Sequence, residues 1–206
     1  MAVGAFLLLA VAQLATAHFG LEYPAWRDAT LGSGHNYSQW AYPCAGVPGN
    51  IPGGNRTDWP LTGGSVILDL HHDWTYVFIN LGLGANVTVF NYTLTPEFLN
   101  ATGEGKLCLP TVPLPADLKV EDGTQASIQV ITVGDSGAGL YNCADITFKA
   151  DAKPLQGDAC RTVGVTTAAI KEQKAGTSAG AIAGMNSVVL SSVVGLALLF
   201  VCGMSL

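Results

Sequence analysis

The sequence is short of charge. Asp, Glu, Lys and Arg make up 12% of its 206 residues, nine basic against fifteen acidic, for a formal net charge of −6. No cluster of Lys or Arg occurs, which argues against nucleic acid and against an anionic membrane surface as partners. Also missing are a phosphate-cradling glycine loop and a dinucleotide fingerprint. No C-x-x-C or paired Cys/His spacing suggests a zinc site. No carboxylate pair can be singled out for glycoside hydrolysis, which needs two such groups set about 5 to 10 Å apart. Histidine is scarce as well. Only His18, His35, His71 and His72 occur, so any imidazole chemistry rests on these four.

What is present in quantity is apolar, and much of it sits at the two ends. Residues 6–14 form an apolar run shorter than the roughly 18 to 20 residues of a membrane-spanning helix. Ala15-Thr16-Ala17 matches the small-residue cleavage pattern of a secretory signal peptide, so His18 is expected to become the first residue. At the other end a small-residue run, Ala175 to Gly180, leads through a weakly polar spacer into the apolar tail 188–206, with no basic flank after it. This is the pattern of a GPI attachment signal, with the attachment residue expected within 176–179. The alternative is an ordinary single membrane span. Either one tethers the intervening domain at the outer face of the cell. Asn-X-Ser/Thr sequons at Asn36, Asn55, Asn86, Asn91 and Asn100 agree with a glycosylated surface protein.

Cleavage before His18 would create a group that no internal histidine has. A free terminal amine and the Nδ1 of the same residue can close a chelate ring on one metal ion. A second imidazole then completes a T-shaped set of three nitrogens suited to the tetragonal preference of Cu(II). Losing the amine proton is cheap near neutral pH, since its ordinary pKa is about 7.7 to 8.0.

Between the ends, the composition points to a β fold. Residues 18–64 are rich in Gly, Pro, Asn and aromatics and read as long irregular structure tied down by the aromatics and Cys44. Strands are predicted over 65–71, 75–81, 86–92, 126–133 and 140–149, each short and rich in β-branched or aromatic residues. No convincing helical period occurs before Val165, so the pattern implies an antiparallel β-sandwich. Residues 165–185 read as a linker, with a short helix over 166–174 as one option. Cys44, Cys108, Cys143 and Cys160 are an even set in an oxidising compartment, so two disulfides are expected. Closing the ends of the domain favours Cys44 with Cys160 and Cys108 with Cys143.

Strand periodicity ranks the histidines. Val66, Leu68, Leu70 and His72 share one face, and Ile67, Asp69, His71 and Asp73 the other. His72 therefore ends an apolar stripe, where packing can fix its ring as a metal ligand requires; a half-buried structural histidine is the other reading. His71 lies among carboxylates and looks solvated, and His35 sits beside a sequon in a Gly-flanked loop. Asp145, in the middle of a strand pinned by Cys143, is a candidate oxygen ligand, because a charge there is costly unless paired or metal-bound. Asp69 and Asp73 compete with it.

Taken together, the cleavage site before His18, Tyr42-Pro43-Cys44, the block from Gly64 through His72-Asp73-Trp74 to Gly84, the strand Leu140 to Asp145 and the GPI-type tail resemble the fungal LPMO-like copper-binding family, which includes the Bim copper acquisition factors. The resemblance implies an immunoglobulin-like β-sandwich with one Cu(II) held by His18, His72 and Asp145. It also implies no oxidative cleavage of polysaccharide, a role in copper uptake or cell-surface copper handling, and a membrane copper transporter as a candidate recipient. The expected organisation is a signal peptide over 1–17, the copper-binding sandwich over 18–160, a linker over 161–178 and the anchor signal over 179–206, in a monomer. The alternatives are an active monooxygenase on wall polysaccharide and a metal-free structural wall protein.

Overall fold

Alternation of side chains along one strand sets the layers. In β4 (Trp74–Leu83), Thr75, Val77, Ile79 and Leu81 are buried while Trp74, Tyr76, Phe78 and Asn80 stand half-buried on the other face, the two-residue period of a sheet with one face on a core. The chain is described here by a computed structural model that covers residues 18–170 except 33, 35, 50, 52 and 53. The segments expected to be the signal peptide and the anchor signal lie outside the described residues, as does His35. Among the described residues no helix is long and apolar enough to cross a membrane.

Ten strands among these residues form two sheets. The smaller has the order β1-β3-β7, from β1 (Phe19–Tyr23), β3 (Gly63–Leu70) and β7 (Gly105–Pro113). The larger has the order β10-β6-β4-β8-β9-β2, with β5 (Tyr92–Thr93) also beside β4. Its other members are β2 (Arg56–Pro60), β6 (Leu99–Thr102), β8 (Gln125–Val133), β9 (Gly139–Lys149) and β10 (Thr166–Ala169). Leu21, Val66 and Leu68 of the small sheet share one core with Ile79, Ile128 and Ile146 of the large one. Each such buried side chain contributes roughly 1.5–3 kcal/mol. The expected all-β sandwich is what the chain forms, with one parallel pairing, β2 on β9.

Several sequence expectations are corrected. The disulfides are Cys44–Cys143 and Cys108–Cys160, not Cys44–Cys160 and Cys108–Cys143. Cys143 faces away from the core on β9, and the loop bearing Cys44 lies over that outer face; Pro43 O is 2.9 Å from Gln129 Nε2 on the adjacent β8. Cys108 is on β7, which faces the incoming 160–163 segment through a Val163 N–H to Lys106 O bond of 2.8 Å. Residues 86–91 do not form a strand. They fold back over Gly82, where a Cβ would overlap the Val87 side chain and the Val89 carbonyl. Thr166–Ala169, in the stretch read as a linker or short helix, is instead a strand on the free edge of β6. Of the loop aromatics expected to act as ties, Trp59 is fully buried and Tyr23 and Trp26 pack against the core, while Trp40 and Tyr42 are 47% and 63% exposed.

Candidate metal centre

β1 begins one residue after His18. Phe19 pairs with Leu70 of β3, and continuing that antiparallel register sets His18 opposite His71 on the outer side of the small sheet. A buried polar clamp holds the first residue of this strand. Gln39 Oε1 accepts the Phe19 N–H at 3.1 Å, and Gln39 Nε2 donates to Phe19 O at 2.7 Å and to Thr30 Oγ1 at 2.7 Å. Thr30 Oγ1 donates to Asn142 Oδ1 at 2.8 Å, and Asn142 Nδ2 donates to Phe19 O at 3.0 Å. Gln39 is fully buried. Both polar groups of the Phe19 backbone are thus fixed from two directions, and the peptide that carries His18 is fixed with them.

His18 opens on a cavity of about 490 Å³ whose lining includes Tyr37, Gln39, Trp40 and His71. His71 is exposed, and its Nε2 lies 2.9 Å from Asp69 Oδ2, so it already has a carboxylate partner. His72 is different. Its Nε2 is buried and has no hydrogen-bond partner. A buried polar atom left this way costs about 1–3 kcal/mol. The ring lies over Gly134, where a Cβ would stand 3.8 Å from its Cε1 and Nδ1. Gly134 opens the turn between β8 and β9, closed by a Gly137 N–H to Gly134 O bond of 2.9 Å. The exposed carboxylate of that turn is Asp135.

Asp145 does not join the histidines. It faces the opposite side of β9 from Asn142 and lies three residues further along, roughly 10 Å at the rise of a strand. Its Oδ1 accepts from Arg27 Nε at 3.0 Å and from the Ser127 hydroxyl. The Arg27 side chain is 3% exposed and that of Asp145 9%. Arg27 Nη2 also donates to Val87 O at 3.2 Å and to Ser127 Oγ at 3.0 Å. The burial that made Asp145 a ligand candidate is answered by a counter-ion. Among the described residues no three His, Cys, Asp or Glu side chains stand close enough to hold a metal ion.

By chemical type the remaining donors suit copper: His72 has an imidazole nitrogen without a hydrogen-bond partner, His18 carries a second imidazole on a braced strand end, and Asp135 is an exposed carboxylate in the turn that opens at Gly134; the cavity that His18 lines is shared with His71 and not with His72. Residues 16–165 match the model of a family described as copper acquisition factor BIM1-like. The chain belongs to the BIM1-like copper acquisition factor family. That span includes His18, His71, His72 and the carboxylates of Asp69, Asp73, Asp135 and Asp145. Relatives of the BIM1-like chain include the lytic polysaccharide monooxygenase-like protein X325 of Aspergillus fumigatus, 35% identical over 173 residues, 70% of this chain and 71% of that one. A lytic polysaccharide monooxygenase-like protein of Emericella nidulans is 36% identical, covering 66% of this chain and 67% of its own. The lytic polysaccharide monooxygenase-like protein ham-7 of Neurospora crassa is 34% identical, covering 72% and 71%.

Sequence reasoning missed Gln39, Thr30 and Asn142, whose contacts with Phe19 and with one another span 9 to 123 residues of chain and leave no local signature. Asp135 did carry a signal, since Gly134-Asp135-Ser136-Gly137 is turn chemistry.

Proposed function

We propose that this protein is a secreted, surface-tethered copper-binding protein whose cargo is one Cu(II), serving copper acquisition or cell-surface copper homeostasis. The observation that carries the reading is the buried, unpartnered His72 Nε2 in a chain of a copper acquisition family. After cleavage behind Ala17, the His18 amine and Nδ1 would supply two nitrogens and His72 the third. Asp135 replaces Asp145 as the proposed oxygen donor, because Asp145 is taken by Arg27. The Gln39 clamp holds the His18 backbone still, so less ordering is left to the moment of binding. A membrane copper transporter is the proposed recipient, and a GPI anchor replacing residues 179–206 the proposed tether.

Secreted protein subjected to intact-mass analysis and metal analysis on the same sample should begin at His18 and carry one copper per chain. A chain starting elsewhere, or one that takes up no copper, ends this reading. A second reading is favoured by Trp40, 47% exposed on the rim of the cavity that His18 enters: an aromatic placed there could hold a sugar face, as a wall-acting monooxygenase would need. Soluble oxidised oligosaccharides released from wall polysaccharide with copper and a reductant would favour it over simple capture.

A further inference from the structure

The outer face of the large sheet carries an aromatic stripe that the copper reading does not use. Trp74, Tyr76 and Phe78 alternate along the outward side of β4, all half-buried. Phe98 joins them from beside β6. Its ring lies 4.9 Å from Phe78, stacked at 27°, and 5.2 Å from Tyr76, edge-on, while Trp74 sits 5.2 Å from Tyr76. Apolar patches of this kind usually have an occupant.

Strand pairing places one residue at the centre of the patch. Asn100 pairs with Tyr76, and Thr102 with Trp74. Phe98, Asn100 and Thr102 alternate with Ala101, which is buried in the core, so all three belong to the outward side. Asn100-Ala101-Thr102 is an Asn-X-Thr sequon, with Phe98 two residues before the asparagine. Asn36, Asn55, Asn86 and Asn91 are exposed and lie outside strands, whereas Asn100 lies within one. Its Oδ1 is buried and has no hydrogen-bond partner, an acceptor that the polypeptide itself leaves unserved.

We infer that the aromatic stripe is the seat of an N-linked glycan on Asn100, whose first N-acetylglucosamine lies against Phe98 and Tyr76 and shields the sheet. Pyranose C–H bonds, polarised by the ring oxygens, suit the electron-rich faces of aromatic rings, and the tandem Phe98, Asn100, Thr102 brings sugar and ring to the same face. The modification forms the Nδ2–C1 bond as a lipid-linked oligosaccharide diphosphate gives up its sugar: the C1–O bond breaks, the lipid diphosphate leaves with that bond's electron pair, and one amide proton is lost. It acts during synthesis, before the strand is paired. The inference rests on the secretory reading of residues 1–17 but is independent of copper.

The test uses the full chain expressed in a glycosylating eukaryotic host. Glycopeptide mapping should find Asn100 occupied, and Asn100→Gln should lower Tm by about 2–4 °C, with Asn91→Gln shifting it far less. In a Phe98→Ser background the Asn100→Gln shift should vanish, since the glycan would have lost its seat. Should Phe98→Ser not fold, Tyr76→Ser serves as the second background. In the unsubstituted protein, NMR of the Asn100-linked sugar should show ring protons upfield of those on the other glycans, the signature of an aromatic face. Occupied sequons elsewhere with Asn100 bare would overturn the inference alone. So would an occupied Asn100 with additive Tm shifts and ordinary proton shifts. Absence of glycan from all five sequons would overturn the inference and the secretory reading together.

Discussion

A carboxylate buried in a strand is tolerated when it meets a metal or a counter-ion, and Asp145 shows how little sequence does to choose between them. Both answers fit its setting in the chain. The guanidinium that pairs with it comes from Arg27, 118 residues earlier, and no spacing rule links the two. His72 was the reverse case. Its place at the end of the stripe Val66, Leu68, Leu70 was legible from periodicity alone, and the structure leaves its Nε2 buried and free. Removing one member of a buried ion pair strands the other, at a cost of about 3–5 kcal/mol. Asp145→Ala should therefore lower unfolding stability by that order in a urea titration, with copper stoichiometry of the folded protein unchanged. A loss of copper at unaltered stability would return Asp145 to the ligand set and displace Asp135 from it.

Among the elements, the strands that sequence revealed are the long ones rich in β-branched and aromatic residues, β3, β4, β8 and β9. β7 escaped notice because Pro110 and Pro113 read as punctuation, although proline is tolerated on an edge strand, which is where β7 lies. β1 and β2 were hidden for another reason. Phe-Gly-Leu-Glu-Tyr and Arg-Thr-Asp-Trp-Pro are too short and too mixed to show a period, and they become strands by pairing with β3 and β9. β1 consequently depends on its anchors, and Gln39 is the anchor closest to the candidate metal centre. Gln39→Met keeps most of the volume but removes its three hydrogen bonds to Phe19 and Thr30, which are worth about 0.5–1.5 kcal/mol each. The variant should still bind one copper, but electron paramagnetic resonance should show broadened, heterogeneous lines, because the strand end that presents His18 is no longer fixed. A spectrum matching that of the unsubstituted protein would reduce Gln39 to a purely structural part.

For the molecule as a whole, the sheet directions relate the candidate site to the last strand. β10 is antiparallel to β6, and β6 to β4, so β10 runs the same way as β4, from the Trp74 end onward. The chain thus passes residue 169 heading away from the end of β4 that follows His72. The disulfides secure this arrangement: Cys44–Cys143 holds the N-terminal loops to β9, and Cys108–Cys160 holds the C-terminal segment to β7. Binding to the folded state alone adds stability in proportion to the logarithm of ligand over Kd, about 2.7 kcal/mol at a hundredfold excess of free copper. In a domain of this size that is a Tm rise of about 5–10 °C. The rise should reverse on adding a chelator, and it should be lost when the His18 amine is acetylated, since the resulting amide nitrogen no longer offers a lone pair to the chelate. An equal rise in the acetylated protein would show that copper binds without the amine, and the proposed chelate would have to be given up even if the family membership stood.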